Sequence, residues 1–414
     1  MQIIADLHLH SKYSRATSKA LDLFEIEKWA KIKGVNLMAT ADFTHPAWFQ
    51  HLQENLMEVN PGIYQIKNSS SGVKFLLSTE ISCIYSKNGK VRRLHLVVFA
   101  PSLEVAEKLN EKLSAIGNLK ADGRPILGLD AKKLLKICLD VDDKIMVIPA
   151  HAWTPWFSVF GSNSGFDSLE ECFEELTPHI YAIETGLSSD PEMNWRWSKL
   201  DKITLISNSD AHSGQMIGRE ANVFALADFT YEEIYQIIKN QDRKKFLYTI
   251  EFFPEEGKYH FDGHRQCKIN FSPDETKKHQ GICPVCKKPL TIGVLNRVDK
   301  LADREKVINS SDKIPFKSLV PLKEIIAEAY QQNKNTKKVD SLYFDLIKKG
   351  DNEFNILINL NEEQLLKITP ELIVKGIIRI RQGQVLRIAG YDGEYGKIRA
   401  FHEKELEKPQ KSLF

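Results

Sequence analysis

The chain has 414 residues, more than one ordinary domain holds, and 42% of them are hydrophobic, enough to fill a sizeable core. The net charge is only +2, and the excess of Lys and Arg lies in residues 255–414, a balance that fits phosphate contacts as well as an ordinary solvated surface. We find no apolar run of transmembrane length and no signal peptide, so we expect no membrane partner. Three of the six cysteines are isolated among apolar residues and three are clustered. This distribution indicates a reducing, cytoplasmic location and excludes a disulfide-rich secreted class.

The first predicted element is a strand over residues 3–10 that ends in two histidines, His8 and His10. Because alternate side chains of a strand share a face, the two imidazoles point the same way. Two imidazoles on one face at the end of a strand form half of a metal site. The alternative is two unrelated histidines, and the later strands decide between these interpretations.

Predicted helices and strands alternate over the following 240 residues or so, with breaks such as Gly34 after the first helix. This alternation predicts an α/β fold with parallel strands. The strands are predicted at 35–42, 74–80, 93–99, 144–151, 181–184 and 203–212, and the helices at 21–33, 103–116, 131–139, 168–176 and 231–239.

Nearly every one of these strands carries a side chain that can bind a metal, in most cases at its end. Barrel folds gather their active sites at the carboxyl ends of parallel strands, and such polar groups are costly to bury unpaired. The sequence therefore predicts a site for more than one metal, and mixed imidazole and carboxylate ligands suit zinc or manganese better than magnesium. The candidates beyond the first pair are Asp42, His45, Glu80, His95, His151, Asp210 and His212.

The order, spacing and strand context of these residues over 1–250 resemble the PHP phosphoesterases. The resemblance implies a distorted seven-stranded β/α barrel that holds two or three metals, commonly zinc or manganese, with magnesium as a further candidate. Clustered divalent metals activate water and neutralise phosphate oxygens during an in-line displacement. The ligands implied for one metal, which are also the implied catalytic residues, are His8, His10, Glu80 and Asp210. Those implied for a second metal are Glu80, as a bridge, with His95 and His151.

The chain departs from the family pattern where a third metal would bind. The family usually has an acidic or histidine ligand where this chain has Arg15, and a histidine where it has Phe43. Asp42, His45 and His212 are the candidate ligands for this third metal.

Residues 255–295 form a second predicted unit, a zinc-binding module. The Cys-Pro-Val-Cys sequence from Cys283 to Cys286 is a knuckle typical of zinc sites, and Cys267 supplies a third thiolate. Two residues separate Cys267 from His264, which fits the fourth place, while His260 and His279 are alternatives. We expect one structural zinc here, because no open position or acid–base partner accompanies it.

Residues 296–414 form a third predicted unit, a smaller α+β domain. Helices are predicted at 322–330, 342–349 and 370–381, and strands at 384–388 and 397–401. Basic side chains on the third helix and the tyrosines of the glycine-rich loop at 390–396 fit a nucleic-acid track. The alternative is a hydrophobic dimerisation domain.

A PHP barrel followed by a cysteine knuckle and this C-terminal segment resembles the endonuclease Q family over the full length of the chain. The resemblance implies a metal-dependent DNA-repair endonuclease that hydrolyses the phosphodiester 5′ of uracil, hypoxanthine, xanthine or an abasic site. The residues by themselves indicate a metal-dependent phosphoesterase with an appended domain. Two rivals stay open: a small-molecule phosphatase of the histidinol-phosphate type, and a non-enzymatic DNA-binding scaffold.

Three aromatic residues directly follow a predicted metal ligand. They are Trp153, Trp156 and Phe157. An enzyme that acts beside a flipped base needs apolar stacking surfaces close to its metals, so these residues are candidates for substrate binding. The alternative is that they pack the rim of the barrel.

The last residues carry a candidate partner-binding peptide. Gln410, Leu413 and Phe414 resemble a shortened form of the peptide by which repair proteins dock on the sliding clamp. Such peptides insert a glutamine and apolar anchors into a groove and are otherwise disordered. The alternative is a frayed terminus.

Overall fold

The computed structural model describes residues 1–305 and 312–406. The predicted clamp peptide with Gln410, Leu413 and Phe414 lies outside these residues and stays a prediction. The strands are Gln2–Asp6 (β1), Leu37–Ala39 (β2), Leu56–Asn60 (β3), Ile63–Ile66 (β4), Lys74–Lys87 (β5), Lys90–Ala100 (β6), Ile126–Leu127 (β7), Met146–Pro149 (β8), Ala182–Glu184 (β9), Thr204–Ile206 (β10), Ala221–Ala225 (β11), Phe246–Glu251 (β12), Asp262–His264 (β13), Ile269–Phe271 (β14), Phe316–Ser318 (β15), Leu386–Ile388 (β16) and Lys397–Arg399 (β17).

Several helices begin at a residue whose side chain caps the first turn. In the first helix, the Asp22 side chain accepts hydrogen bonds from the backbone of the first turn, and Gly34 ends the helix in the left-handed region. The helices are Leu23–Lys33 (α1), Pro46–Asn55 (α2), Leu103–Ser114 (α3), Ala131–Val141 (α4), Leu169–Phe173 (α5), Pro191–Trp195 (α6), Tyr231–Lys239 (α7), Pro273–Lys278 (α8), Val294–Leu301 (α9), Leu322–Ala329 (α10), Lys337–Gly350 (α11), Glu362–Ile368 (α12), Glu371–Arg381 (α13) and Glu403–Leu406 (α14).

The main sheet is mixed, which confirms an α/β fold but corrects the prediction of parallel strands. Strands β1, β2 and β5 pair in parallel, whereas β11 runs antiparallel to β1 and to β12. Strand β5 also pairs antiparallel with β6 along its length, because a tight turn joins them. In that turn Asn88 and Gly89 have φ of 54° and 71°. Two positive φ values in a row are the geometry of the two-residue hairpin turn that Asn-Gly favours, so the sequence signal for this hairpin was present.

Strands β9 and β10 pair in parallel as a separate ribbon, and loop contacts join their ends to the main sheet. The backbone N–H of His10 donates to the Ala211 carbonyl at 3.0 Å, and the Asp210 N–H donates to the His8 carbonyl at 2.9 Å. The Ala152 N–H donates to the Glu184 carbonyl at 2.9 Å. These bonds bring the carboxyl ends of β1, β8, β9 and β10 to one side of the fold.

Apolar packing holds this arrangement. On one side of the sheet, Ile3 of β1 lies opposite Phe224 of β11, and both are buried. Helix α7 buries Ile234, Ile237 and Ile238, which recur at helical spacing along its inner face. Each fully buried side chain of this size stabilises the fold by about 1.5–3 kcal/mol. Among the helices in the described part of the chain, none is both long and apolar enough to cross a membrane.

The regions after residue 255 pack against the sheet. Strands β13 and β14 form one antiparallel hairpin, and β16 and β17 form another. Helices α10 and α13 contact each other, and β15 extends the main sheet by pairing in parallel with β12. The C-terminal region therefore contributes a strand to the first unit. The predicted divisions into residues 1–250, 255–295 and 296–414 stay predictions.

Candidate active site

Three groups of side chains come close enough together to hold a metal ion. In each group the ligand atoms lie within 4.8 Å of one another. We call them the first group (His8, His10 and Asp210), the second group (Glu80, His95 and His151) and the thiolate group (His264, Cys267, Cys283 and Cys286).

The first group gathers around the imidazole Nε2 atoms of the opening strand. Nε2 of His10 lies 3.2 Å from Oδ1 of Asp210, and Nε2 of His8 lies 3.9 Å from the same oxygen. Strand β1 ends at Asp6, earlier than predicted, and His8 and His10 lie just beyond it on either side of Leu9, which bridges to Ala211. The alternation of this extended segment brings both Nε2 atoms to the same carboxylate. Asp210 comes from the loop after β10, so the group forms only when the two strand ends meet.

Glu80 lies between the first and second groups. Its Oε2 is 3.2 Å from Nε2 of His10, while its Oε1 is 2.9 Å from Nδ1 of His95 and 3.4 Å from Nε2 of His151. One oxygen of this buried carboxylate therefore faces each group. This is the geometry that a carboxylate bridging two metals requires.

The buried polar atoms at the centre of these groups fit divalent metals. Among the described residues, Nε2 of His8, Nε2 of His10, Oε1 of Glu80 and Oδ1 of Asp210 make no hydrogen bond of acceptable geometry, although ligand atoms of the same groups lie close to them. A buried polar atom without a partner costs about 1–3 kcal/mol, so these four atoms, three in the first group and one facing the second, fit coordination to metal ions. Metal coordination would satisfy all four atoms at once. Mixed imidazole and carboxylate donors fit zinc or manganese.

Backbone strain is concentrated at the same positions. Asp42, His151 and Asp210 have φ of 42°, 32° and 46°, in the left-handed region that side chains other than glycine rarely adopt. Such conformations cost about 1–3 kcal/mol each and persist where the surrounding structure fixes them. Here they turn the chain sharply at the strand end, which points the side chains toward the metal-ligand groups.

A buried carboxylate backs each histidine of the opening pair. Nδ1 of His8 lies 3.1 Å from both oxygens of Glu184, and Nδ1 of His10 lies 3.3 Å from Oδ1 of Asp42. A carboxylate that accepts a hydrogen bond from Nδ1–H leaves Nε2 free to bind a metal and fixes the ring. Sequence reasoning placed Glu184 at the end of a strand but assigned it no role.

Asp42 stands outside both metal-ligand groups. Its Oδ2 accepts from the Ser11 N–H at 2.7 Å, the Ser11 hydroxyl at 2.6 Å and the Ser14 hydroxyl at 2.9 Å. Burial by itself would raise the pKa of Asp42, but the hydrogen bonds from His10 and Ser11 outweigh it and lower the pKa below its ordinary value. Both of its oxygens are thus occupied.

His45 and His212 also stand outside the two groups. The His45 ring stacks on Tyr13 with ring centroids 4.2 Å apart. His212 lies nearer, with its ring centroid 4.6 Å from that of His10, and its Nδ1 is 2.9 Å from the Asp210 carbonyl. Among the described residues, the structure does not join Asp42, His45 and His212 into one ligand set. Their assignment to a third metal stays a prediction.

Buried carboxyl groups extend the polar network away from the metals. Asn208 donates to Oε1 of Glu184 at 2.9 Å, and Glu251 accepts from the hydroxyls of Thr185 and Ser207 at 2.9 and 3.1 Å. Burial raises the pKa of Glu251 to about 8, so this group is protonated in the folded chain at neutral pH. Burial also raises the pKa of the neighbouring Glu220 well above its ordinary value.

The three predicted stacking residues differ in their exposure. Trp153 is only 1% exposed, donates its Nε1–H to Asn194 at 2.7 Å and packs on Phe160. It is a core residue with no free face for a base, which corrects the prediction for this position. The other two, Trp156 and Phe157, are half-buried and keep part of their surface accessible.

The two half-exposed aromatics lead away from the second group in one direction. Phe157 packs against the ligand His95 with ring centroids 4.8 Å apart. Trp156 packs edge-on against Tyr259 with ring centroids 5.5 Å apart, which connects the loop after β8 to the region after residue 255.

The thiolate group contains the four residues favoured by the sequence. His264 ends β13, and its Nδ1 lies 3.5 Å from the sulfur of Cys286. Burial opposes thiolate formation at Cys283, but the backbone N–H groups of Cys286 and Val285 outweigh it and lower the pKa of this thiol. Such N–H donors are typical of a knuckle that holds a metal. The alternatives, His260 and His279, instead pack on Phe261 and Phe271.

One family profile and two proteins of known sequence match this chain over different shares of its length. The sequence profile of the MJ0043 C-terminal domain matches residues 321–384. MJ0043 of Methanocaldococcus jannaschii is 33% identical over 264 residues, which cover 62% of this chain but only 32% of that protein. YqxK of Bacillus subtilis is 28% identical over 96% of this chain and 99% of its own length.

Two solved structures match the whole fold. The lesion-specific endonuclease PfuEndoQ from Pyrococcus furiosus is 30% identical with a TM-score of 0.86, and the match covers 100% of this chain and 98% of that one. Endonuclease Q in complex with a 27-mer duplex that carries an abasic lesion at the active site is 31% identical with a TM-score of 0.86, and the match covers all of both chains. The chain therefore belongs to the endonuclease Q family and is an endodeoxyribonuclease.

Proposed function

We propose that this chain is a metal-dependent DNA-repair endonuclease that hydrolyses the phosphodiester 5′ of a deaminated base or an abasic site. The observation that carries the proposal is the pair of adjoining metal-ligand groups that share Glu80, in a chain whose relative holds an abasic lesion at its active site. Metals bound there would supply an activated water and neutralise the phosphate oxygens of the scissile bond. The lesions we propose are uracil, hypoxanthine, xanthine and the abasic site.

The protein side chains have defined parts in this proposal. His8, His10 and Asp210 would hold one metal and His95 and His151 a second, with Glu80 as a ligand placed between the two groups. Glu184 and Asp42 act as orienting carboxylates, because each faces the Nδ1 atom of one ligand histidine. Zinc is the metal we favour, with manganese or magnesium as alternatives. We also propose that the strands around this site complete the seven-stranded PHP barrel.

Lesion recognition follows from the energetics of unpaired polar groups. A base must leave the stack before the enzyme can read it, and this costs least at mismatched or damaged positions. Uracil and hypoxanthine differ from cytosine and adenine by a carbonyl in place of an amine. Backbone N–H groups would donate hydrogen bonds to that carbonyl, whereas an amine in its place would leave each N–H group unpaired at a cost of about 1–3 kcal/mol.

An aromatic and basic surface supports DNA contact by the regions after residue 255. Tyr259 packs edge-on against Trp156. Its neighbour Lys258 places its ammonium 4.6 Å from the centre of the Tyr395 ring, so the three side chains continue the surface away from Trp156. Tyr395 is 66% exposed. Aromatic faces interleaved with basic groups suit a nucleic-acid strand. We propose that the DNA runs from the metal-ligand groups along this surface, while the thiolate group holds one structural zinc.

End-labelled duplexes test the reaction. Each duplex carries one uracil, hypoxanthine, xanthine or abasic site, and the products are run on a sequencing gel beside an undamaged duplex and beside an Asp210→Asn control. We expect a nick immediately 5′ of the lesion with the base still attached to its sugar. Release of free base, or equal cutting of undamaged DNA, would contradict the proposal. Efficient hydrolysis of histidinol phosphate in a parallel assay would favour the small-molecule phosphatase instead.

A further inference from the structure

Arg124 lies at the edge of the metal-ligand groups, on the loop between α3 and β7 that no predicted strand or motif includes. One of its terminal nitrogens, Nη1, is 3.0 Å from Oε2 of Glu80. The guanidinium is also close enough to act electrostatically on Asp210, His95 and His212. A permanent positive charge therefore stands beside both groups of ligands.

The loop that carries Arg124 is fixed against the segments that follow β1 and β2. The Gly123 N–H donates to the Tyr13 carbonyl at 3.0 Å, and the backbone passes so near the site that a Cβ atom on Gly123 would lie 2.3 Å from Oδ2 of Asp42. Only glycine permits this approach. Oδ1 of Asp122 accepts the Arg124 N–H at 3.1 Å, which holds the backbone on the other side. These contacts fix the backbone from which Arg124 reaches Glu80.

Most of the hydrogen-bonding capacity of Arg124 is unused. Within residues 1–305 and 312–406, its guanidinium donates a single hydrogen bond, to Glu80. The side chain is 24% exposed, so the remaining donors are open to a ligand that enters the site. A guanidinium with free donors beside clustered metal ligands matches a phosphate group, whose oxygens accept two parallel N–H bonds.

We propose that Arg124 binds a non-bridging oxygen of the scissile phosphate. This inference rests on the proposed function, because the phosphate is that of the DNA substrate. The competing explanation is that Arg124 only neutralises the Glu80 carboxylate and has no contact with DNA. The two explanations differ in whether the affinity contributed by Arg124 depends on the presence of the phosphate.

Binding to nicked duplexes distinguishes the two explanations for Arg124, because the metal-loaded full chain can bind such DNA without cutting it. Two duplexes are nicked at the position where the enzyme cuts, one with and one without the phosphate at the nick. Arg124→Met should bind the phosphate-bearing duplex about 10- to 100-fold more weakly than the wild type does, since a charge-assisted hydrogen bond is lost. Its binding to the phosphate-free duplex should be unchanged. The slope of log affinity against log salt for the phosphate-bearing duplex should fall by about 0.9.

Two further variants complete the design. Lys120→Met is the matched control, because Lys120 is an exposed cation on the same loop, and it should retain the wild-type preference for phosphate. Arg124→Lys keeps the positive charge but loses the pair of parallel N–H donors, so it should retain part of the preference for the phosphate-bearing duplex. This variant keeps the test decisive if Arg124→Met fails to fold. Metal content and melting temperature are measured on each variant.

The outcomes distinguish this inference from the proposed function. If Arg124→Met and Arg124→Lys bind both nicked duplexes as the wild type does, or lose affinity for both equally, Arg124 is only a charge partner of Glu80 and the inference is wrong. If the wild type leaves lesion-bearing DNA uncut, the proposed function fails whatever the Arg124 variants do. If it cuts the lesion duplex and only the phosphate-bearing product depends on Arg124, both stand.

Discussion

Replacing Glu184 by glutamine tests whether the carboxylate behind His8 tunes metal binding. The two Glu184 oxygens accept from the His151 N–H at 2.8 Å and from Asn208 at 2.9 Å, and both lie 3.1 Å from Nδ1 of His8. The side chain is buried, so these donors have no water to replace it. Glutamine keeps the size of the side chain but offers only one acceptor oxygen, and its amide is itself a donor.

The magnitude follows from the role of an orienting carboxylate. Removing such a partner lowers metal affinity by about 10- to 100-fold, equivalent to about 1.4–2.7 kcal/mol. We therefore expect Glu184→Gln to need 10- to 100-fold more metal for half-maximal nicking. At saturating metal most of the rate should return, because the ligand atoms themselves are unchanged.

Chelator-buffered zinc titrations measure this directly, with bound metal determined by elemental analysis and nicking followed on the same samples. Glu192→Gln is the matched control, since Glu192 is exposed on α6 and the charge change is identical. An unchanged metal requirement in a folded Glu184→Gln protein would refute the reasoning. A loss of rate that excess metal does not restore would instead give Glu184 a direct part in the reaction.

Three other predictions follow from the described contacts. His8→Ala or Asp210→Asn should abolish nicking while circular dichroism stays that of the wild type, and full activity in His8→Ala would exclude the metal assignment. Cys283→Ser should lower the melting temperature and the bound zinc together, because a structural zinc contributes folding free energy. Glu251→Gln should flatten the dependence of stability on pH: burial raises the pKa of Glu251 to about 8, so the folded wild type retains a proton that the unfolded chain loses near its ordinary pKa. The free energy of unfolding of the wild type should therefore fall by up to about 1.4 kcal/mol per pH unit from about pH 5 to 8, as urea titrations would measure.

The grouping of the candidate metal ligands could be predicted from the sequence because their position along the chain fixes their position in space. His8 and His10 share a face because a strand alternates, and Asp210 meets them because strand ends gather on one side of the fold. The thiolate group could also be predicted from the sequence, because the spacing within the Cys283–Cys286 knuckle is a local pattern. The family resemblance added which ligands share a metal, and the two faces of Glu80 fit that expectation.

The contacts of Asp42, whose assignment to a third metal stays a prediction, do not follow from its place at a strand end alone. A carboxylate at a strand end can point to the metals or to the back of a ligand histidine, and the sequence around it is the same in both cases. Three hydrogen bonds from Ser11 and Ser14 decide the orientation, and they exist only because the turn after β1 folds back on residue 42. The prediction that Trp153 stacks on a base was wrong for a similar reason, because the loop after β8 turns the Trp153 ring into the core rather than outward.

No local sequence pattern indicates that Arg124 lies at the candidate site. It stands 44 residues from Glu80 along the chain, in a loop without hydrophobic periodicity, and a lone arginine in such a loop is usually a solvated surface residue. Its place at the site depends on Gly123 fitting against Asp42, a contact between segments that are about 80 residues apart. The ligand residues are thus encoded by strand periodicity, whereas the residues that orient the ligands and face the substrate are encoded by how loops pack. For this reason the chemistry of the site was predictable from the sequence, while the groups that tune it required the three-dimensional structure.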